Sequence, residues 1–223
     1  MEIKIVRKVL GVNDANALRN RERFADNNVF VLNVMSSPGS GKTTLLEKTI
    51  ARLMPGIRCG VIVGDICTAN DADRLAVTGV PVVQVNTDAF GGDCHLAAHV
   101  IEKASEDLDL SALDLLIVEN VGNLVCPAEF DIGENARAVV LSVTEGEDKP
   151  VKYPLMFREC DAAVLNKTDL LPYLDYDREA AVGYIHEVHP GMPVFELSAR
   201  TGDGLDPWVD WIRERVREKK AEG

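Results

Sequence analysis

The segment Ser36-Ser37-Pro38-Gly39-Ser40-Gly41-Lys42-Thr43 combines the residue types that a chain needs to hold a polyphosphate. It follows an apolar run, Val29 to Val34, and opens a segment, Thr44 to Leu53, that reads as a helix. A strand, a glycine-rich turn ending in Lys-Thr and a helix make a phosphate-binding loop. Gly39 and Gly41 let the backbone turn so that N–H groups converge on phosphate oxygens, and the helix adds the positive end of its dipole. Lys42 can reach the β- and γ-phosphates, and the Thr43 hydroxyl can ligate magnesium. Ser40 and Thr44 complete the expected contacts. Ser36 stands where the first glycine is usual, and a small residue there still permits the turn.

A second signal is Asn166-Lys167-Thr168-Asp169, placed after the apolar run Ala162 to Leu165. In open α/β sheets, ligands bind outside the carboxyl ends of the strands. A carboxylate at that edge accepts from the guanine N1–H and 2-amino group together. Adenine has no such donor pair, so Asp169 selects guanine. Lys167 can lay its stem along the base, and Asn166 can tie this loop to the phosphate loop. Ser198-Ala199-Arg200 follows another apolar run and matches the turn with which GTPases meet guanine O6 through backbone N–H, Arg200 replacing the usual Lys. The expected nucleotide is therefore GTP.

Hydrolysis with magnesium needs a carboxylate near the metal and a group that orients water. Asp65, after Gly60 to Val63, and Glu119, after Asp114 to Val118, are the candidates for both tasks, with Thr43 as the further magnesium ligand. Gly122 can offer its N–H to the γ-phosphate. With Lys42, these residues form the expected catalytic set.

The third constellation is Cys94-His95, expected at the start of a helix spanning 93–107, with Cys126 beyond the next strand. Thiolate and imidazole suit zinc, nickel or copper rather than magnesium. A helix N-terminus would favour the Cys94 thiolate. The competing reading is a buried cysteine beside a surface histidine. Three ligands leave a tetrahedral site open, or a second chain closes it. Cys59 and Cys160 read as small core residues; Cys67 is left unassigned. An odd count of five cysteines in a chain of 223 residues argues against a disulfide framework.

The elements that must position these residues follow a strand–helix rhythm. Strands are expected at 29–35, 58–63, 80–85, 113–118, 138–143, 161–165 and 193–197, and helices at 42–54, 71–78, 93–107, 175–188 and 205–219. The class is α/β, a P-loop NTPase fold with a mainly parallel sheet and helices on both faces. Residues 1–28 read as an N-terminal appendage and 29–223 as the GTPase domain. In the appendage, 1–12 is expected as a strand or extended arm. Asn13 to Asn27 is expected as a helix capped by Asn13 or Asp14, with Leu18 and Phe24 packing. Residues 144–154 read as the longest polar loop. The net charge of −12 disfavours non-specific nucleic-acid binding. No run approaches membrane-spanning length and no signal-peptide pattern opens the chain, so a cytoplasmic location is expected.

Taken together, the residues resemble the HypB family, GTPases that help insert nickel into [NiFe]-hydrogenase. The resemblance runs from about Val9 to the C-terminus. It is carried by Asn20-Arg21 with Phe24, Met35 to Thr44, Gly64-Asp65 with Asn70-Asp71-Ala72, Cys94-His95-Leu96, Glu119 to Pro127, and Asn166 to Asp169. The urease relative, UreG, has Cys-Pro-His in place of adjacent Cys-His. The resemblance implies a nucleotide-controlled Ni2+ or Zn2+ site at Cys94, His95 and Cys126, and a GTP-dependent homodimer. It also implies a HypA-type nickel chaperone and the hydrogenase large subunit as partners, and it implies that Lys149 reaches the nucleotide or the partner chain. One departure is that residues 1–30 contain neither Cys nor His, so N-terminal nickel loading is not expected. The rival readings are a small-molecule kinase, a urease-type relative, and a GTPase switch with no metal role.

Overall fold

The structure, a computed structural model, describes residues 4–54, 56–65, 70–86 and 95–222. Its sheet has seven strands: β1 Phe30–Ser36, β2 Cys59–Asp65, β3 Val82–Asn86, β4 Leu115–Gly122, β5 Ala136–Ser142, β6 Ala162–Asn166 and β7 Val194–Glu196. All pair in parallel, in the spatial order β3-β2-β4-β1-β5-β6-β7. The expected mainly parallel α/β architecture is the one observed. After β1 the chain steps to one side of the sheet, and after β4 it crosses to the other. The phosphate loop leaves β1 at this switch point, where a crevice opens outside the strand ends. In the register, Val34 pairs with Glu119 of β4 on one side and Ala138 of β5 on the other.

The helices are α1 Lys4–Asp26, α2 Lys42–Leu53, α3 Asn70–Ala76, α4 Ala98–Ser105, α5 Lys149–Lys152, α6 Pro154–Glu159, α7 Arg178–Val188 and α8 Leu205–Glu222. Strand side chains alternate between faces. Phe30, Leu32 and Val34 pack with Leu45 and Ile50 of α2 and Trp208 and Ile212 of α8. Val29, Val31, Leu116 and Val118 pack against Phe24 of α1 and Ile101 of α4. Val139, Leu141 and Leu165 pack against Phe157 of α6 and Ile185 of α7. Each such side chain taken out of water contributes roughly 1.5–3 kcal/mol, which is what holds helices on both faces.

Several expectations are corrected. Residues 4–12 are helical, not a strand or extended arm. The stretch contains no proline, so nothing ends the helix ahead of Asn13. Asn13 is consequently not a cap. It is buried inside α1, where Nδ2 donates to the Asp131 carbonyl at 2.8 Å and Oδ1 accepts from the Ala98 N–H at 3.0 Å. Phe24 packs as expected, but Leu18 is 54% exposed. The polar stretch 144–154 is not all loop, because Pro150 and Pro154 stand in the first turns of α5 and α6, where a missing N–H costs nothing. Helix 93–107 starts only at Ala98: Ala97 is extended, with ψ of 156°. Asp65 and Glu119 lie within β2 and β4 rather than beyond them.

Candidate functional site

The loop from Ser36 to Thr44 lines a cavity of about 490 Å3, together with Gly64, Asp71, Arg74, Val121, Gly122 and Lys167. Gly39 and Gly41 have φ of +75° and +90°, which bulkier residues rarely adopt. At Gly41 a Cβ would also lie 2.6 Å from Asn166 Nδ2. Glycine is therefore demanded twice at that position. No side chain caps the first turn of α2, so its free N–H groups face the cavity mouth where an anion would be held.

At the cavity floor, Thr43 Oγ1 donates to Glu119 Oε1 at 2.7 Å, and Lys42 Nζ lies 3.3 Å from the same oxygen. Glu119 is 1% exposed. Its second oxygen, Oε2, is buried without a hydrogen-bond partner. Burial pushes the Glu119 carboxyl up from its ordinary range, and Lys42 and Thr43 only partly offset this. An orphaned carboxylate oxygen beside a Thr hydroxyl is a hard-oxygen donor set that fits magnesium. Asp65 ends β2 at this edge, and nothing is described of its side chain. Gly122 lies against the Pro38 backbone, across the cavity from α2.

The loop after β6 is fastened to the phosphate loop. Asn166 Nδ2 donates to the Ser40 carbonyl at 2.9 Å, and Lys167 Nζ donates to the Gly39 carbonyl at 2.7 Å. Lys167 holds φ of +64°, a conformation that is costly for a non-glycine residue and clusters at functional sites. Asn166 Oδ1 accepts from the N–H groups of Lys167 at 2.8 Å and Ala199 at 3.0 Å. The Ala199 N–H is thus held by Asn166 here. Ser198 Oγ donates to Asp169 Oδ1 at 2.6 Å, fixing the carboxylate and leaving Oδ2 for a base.

Of the cargo-ligand candidates, His95 and Cys126 are described. Cys94 falls outside the described residues, as does Cys67. His95 precedes α4 rather than lying on it, because Leu96 lies across Gly64 of β2, where a Cβ would meet Leu96 Cδ1 at 2.7 Å. β3 and β4, the strands on either side of these segments in sequence, are not neighbours, because β2 separates them. The segment reaches β4 nonetheless: the Leu96 N–H donates to Asn120 Oδ1 at 3.2 Å. His95 stacks on Phe130 with ring centroids 3.8 Å apart, and Cys126 begins the 3-10 turn Cys126–Glu129 just before Phe130. Among the described residues no group of three metal-ligating side chains occurs. Cys59 and Cys160 are buried, and burial raises both thiols, Cys59 to about 12, as suits inert core residues.

Arg74 at the cavity, and Glu47 and Glu145 beside it, went unmarked in the sequence. Arg74 Nη2 donates to Thr44 Oγ1 at 2.9 Å and pairs with Glu47 at the same distance. Ser37 Oγ donates to Glu145 Oε2, and Glu145 pairs with Lys149 at 3.5 Å. Lys149, expected at the nucleotide or the partner chain, is held here by Glu145. Apart from the family resemblance its sequence cue was a polar loop, and its link to Ser37 runs through Glu145, 108 positions after Ser37.

Residues 30–196 match the model of the CobW/HypB/UreG nucleotide-binding domain. The hydrogenase maturation factor HypB of Azotobacter chroococcum mcd 1 is 54% identical over 215 residues, spanning 96% of this chain and 69% of that protein. The crystal structure of HypB from Helicobacter pylori in complex with nickel superposes with a TM-score of 0.86 at 38% identity, covering 93% of this chain and 96% of the other. The hydrogenase maturation factor HypB from Archaeoglobus fulgidus gives the same TM-score at 37% identity, over 93% and 100% of the two chains.

Proposed function

The chain belongs to the CobW/HypB/UreG family, in its HypB branch, and from that premise we propose that it is a GTP-hydrolysing metallochaperone that delivers nickel during [NiFe]-hydrogenase maturation. The observation that carries the reading is the double use of β4. Glu119 on that strand takes the Thr43 hydroxyl and Lys42, and seven residues on, the same chain segment reaches Cys126. A segment that responds to the γ-phosphate therefore also carries a cargo ligand.

GTP sits with its phosphates against Ser36 to Thr44 and its base against Asn166, Lys167, Asp169 and the Ser198-Ala199 turn. Asp169 supports guanine because Oδ2 is open and Oδ1, which accepts from Ser198, keeps a second lone pair, so the two oxygens can accept from the base's paired donors. Magnesium, held by Thr43, Glu119 and Asp65, would neutralise charge on the β- and γ-phosphates. Lys42 binds the phosphates. Glu119 and Asp65 hold the metal or orient water, and Gly122 offers its N–H at the γ-phosphate side.

The cargo ligands are Cys94, His95 and Cys126, for Ni2+ or Zn2+. Loss of the γ-phosphate changes how Glu119 is held and so shifts the segment that follows it, as in switch loops that relax after hydrolysis. A GTP-dependent homodimer would bring two such sites together. Tyr173 and Leu174, which are 83% and 39% exposed close after the base-reading loop, offer it apolar surface. Releasing Lys149 from Glu145 would let it reach the nucleotide or the partner chain. HypA-type chaperones and the hydrogenase large subunit are the expected receivers. Among the described residues no helix is long and apolar enough to cross a membrane, in keeping with a cytoplasmic role.

Phosphate release with GTP and no acceptor tests the reaction class. Turnover that needs a small-molecule acceptor would replace this reading with a kinase.

A further inference from the structure

A run of buried and partly buried side-chain hydrogen bonds crosses the sheet behind the nucleotide cavity, and none of the steps above uses it. It begins at Arg137 of β5, whose Nε donates to Glu134 Oε1 at 2.5 Å, while Nη1 and Nη2 each reach a carbonyl at 3.4 Å, those of Ala128 and Phe130. Glu134 Oε1 also accepts from Asn33 Nδ2 at 3.2 Å. Asn33 Oδ1 accepts from Asn120 Nδ2 at 3.2 Å. Asn120 Oδ1 then accepts the N–H groups of Leu96 at 3.2 Å and Val121 at 2.9 Å. Asn33, Asn120 and Glu134 are all buried. Such a network is stable only when its members are satisfied together, so a shift in one member is felt by the next.

Its ends and its middle lie on different machinery. One end holds the backbone of Ala128 and Phe130, beside Cys126 and under the His95 ring. The other holds Leu96, the residue after His95. The middle is Asn33, on the strand that feeds the phosphate loop, and Asn120, next to Glu119. Successive strand residues face opposite sides. Leu115 and Ile117, in phase with Glu119, pack toward α2, whereas Leu116 and Val118, in phase with Asn120, pack toward α1 and α4. One peptide of β4 thus presents a carboxylate to the phosphate loop on one face and an amide to the cargo segments on the other.

We propose that Asn120 is the positioning residue through which nucleotide state sets the cargo site. A change at Glu119 moves the shared peptide, and Asn120 carries that movement to the Leu96 N–H and so to His95. The proposal rests on the reading that nucleotide controls the cargo ligands.

The test is a nickel titration of the full chain and of Asn120→Ala and Asn120→Asp, each saturated with GDP or with a non-hydrolysable GTP analogue, with GTP turnover measured in parallel. Coupling between sites commonly amounts to about 5–150-fold in affinity, and a ratio of that order is expected for the native chain. Asn120→Ala should bring the ratio to within about twofold of unity while turnover is retained. Asn120→Asp keeps an acceptor for Leu96 and Val121 but loses the donor to Asn33 Oδ1, so its ratio should fall between those of the native chain and Asn120→Ala. An unchanged ratio in Asn120→Ala would overturn the proposal, and so would loss of ratio and turnover together in both variants. Amide exchange at Leu96 in the native chain gives a readout that survives a folding failure of the variants. It should differ between the two nucleotides, and equal exchange would overturn the proposal. A native chain with no ratio at all would instead overturn the nucleotide-controlled cargo reading itself.

Discussion

Thr43 Oγ1 donates to Glu119 Oε1 at 2.7 Å across the cavity floor, joining the start of α2 to β4. The Glu119 carboxyl is desolvated there and held above its ordinary range. A raised folded value means that the folded chain keeps a proton that the unfolded chain, with an ordinary Glu value near about 4.3, has lost. Stability of the nucleotide-free chain therefore falls as pH rises from that range through the raised value. Glu119→Gln should flatten this fall in thermal melts recorded against pH with chelator present. It should also blunt the magnesium dependence of GTP binding. A melting profile identical to the native one would contradict the assignment.

Lys42→Ala removes the cation beside Glu119 and the expected phosphate contact. Affinity for a fluorescent GTP analogue should fall at least about tenfold, as for loss of a charge-assisted contact. Native affinity in the variant would remove Lys42 from the phosphate site.

Asp169→Asn replaces an acceptor pair with one acceptor and one donor. Competition binding should show preference moving from guanine toward xanthine nucleotides. Ser198 still donates to the side-chain oxygen, so the loop geometry should persist. An unchanged guanine preference would count against Asp169 as the base-reading residue.

Much of this was legible from local pattern. The phosphate loop and Asn166 to Asp169 are contiguous motifs, each fixed by one strand end, and the inner strands are mostly apolar runs, as two-sided burial requires, whereas the edge strands β3 and β7 are only partly buried. What was missed depends on distant partners. Leu18 looked like a packing residue, but the face that turns inward is set by Asn13, Asn20 and Phe24, with Asn20 Nδ2 bonded to the carbonyls of Ala98 and Ile132. The late start of α4 is set by Leu96 seated on Gly64, a contact between residues 32 positions apart. Ser37–Glu145 and Asn33–Asn120 are likewise pairs that no short window contains.

The seat of Leu96 can be tested by a double-mutant cycle. Gly64→Ala would place a Cβ 2.7–2.9 Å from three Leu96 side-chain carbons. Overpacking of this kind commonly costs about 1–3 kcal/mol. Leu96→Ala alone leaves a cavity, and the double variant should be more stable than the two single losses sum to. Additive losses in denaturant melts would mean that the two residues do not share this contact.

Cys126→Ala should lower nickel affinity while GTP turnover continues, because Cys126 lies on the cargo segment and outside the residues lining the nucleotide cavity. Unchanged nickel affinity would favour a GTPase switch without a metal role.

The most direct measurement is isothermal titration of nickel into the native chain loaded with GDP and, separately, with a non-hydrolysable GTP analogue. The two states should differ in nickel affinity, because β4 carries both Glu119 and the segment leading to Cys126. Equal affinities would contradict this coupling.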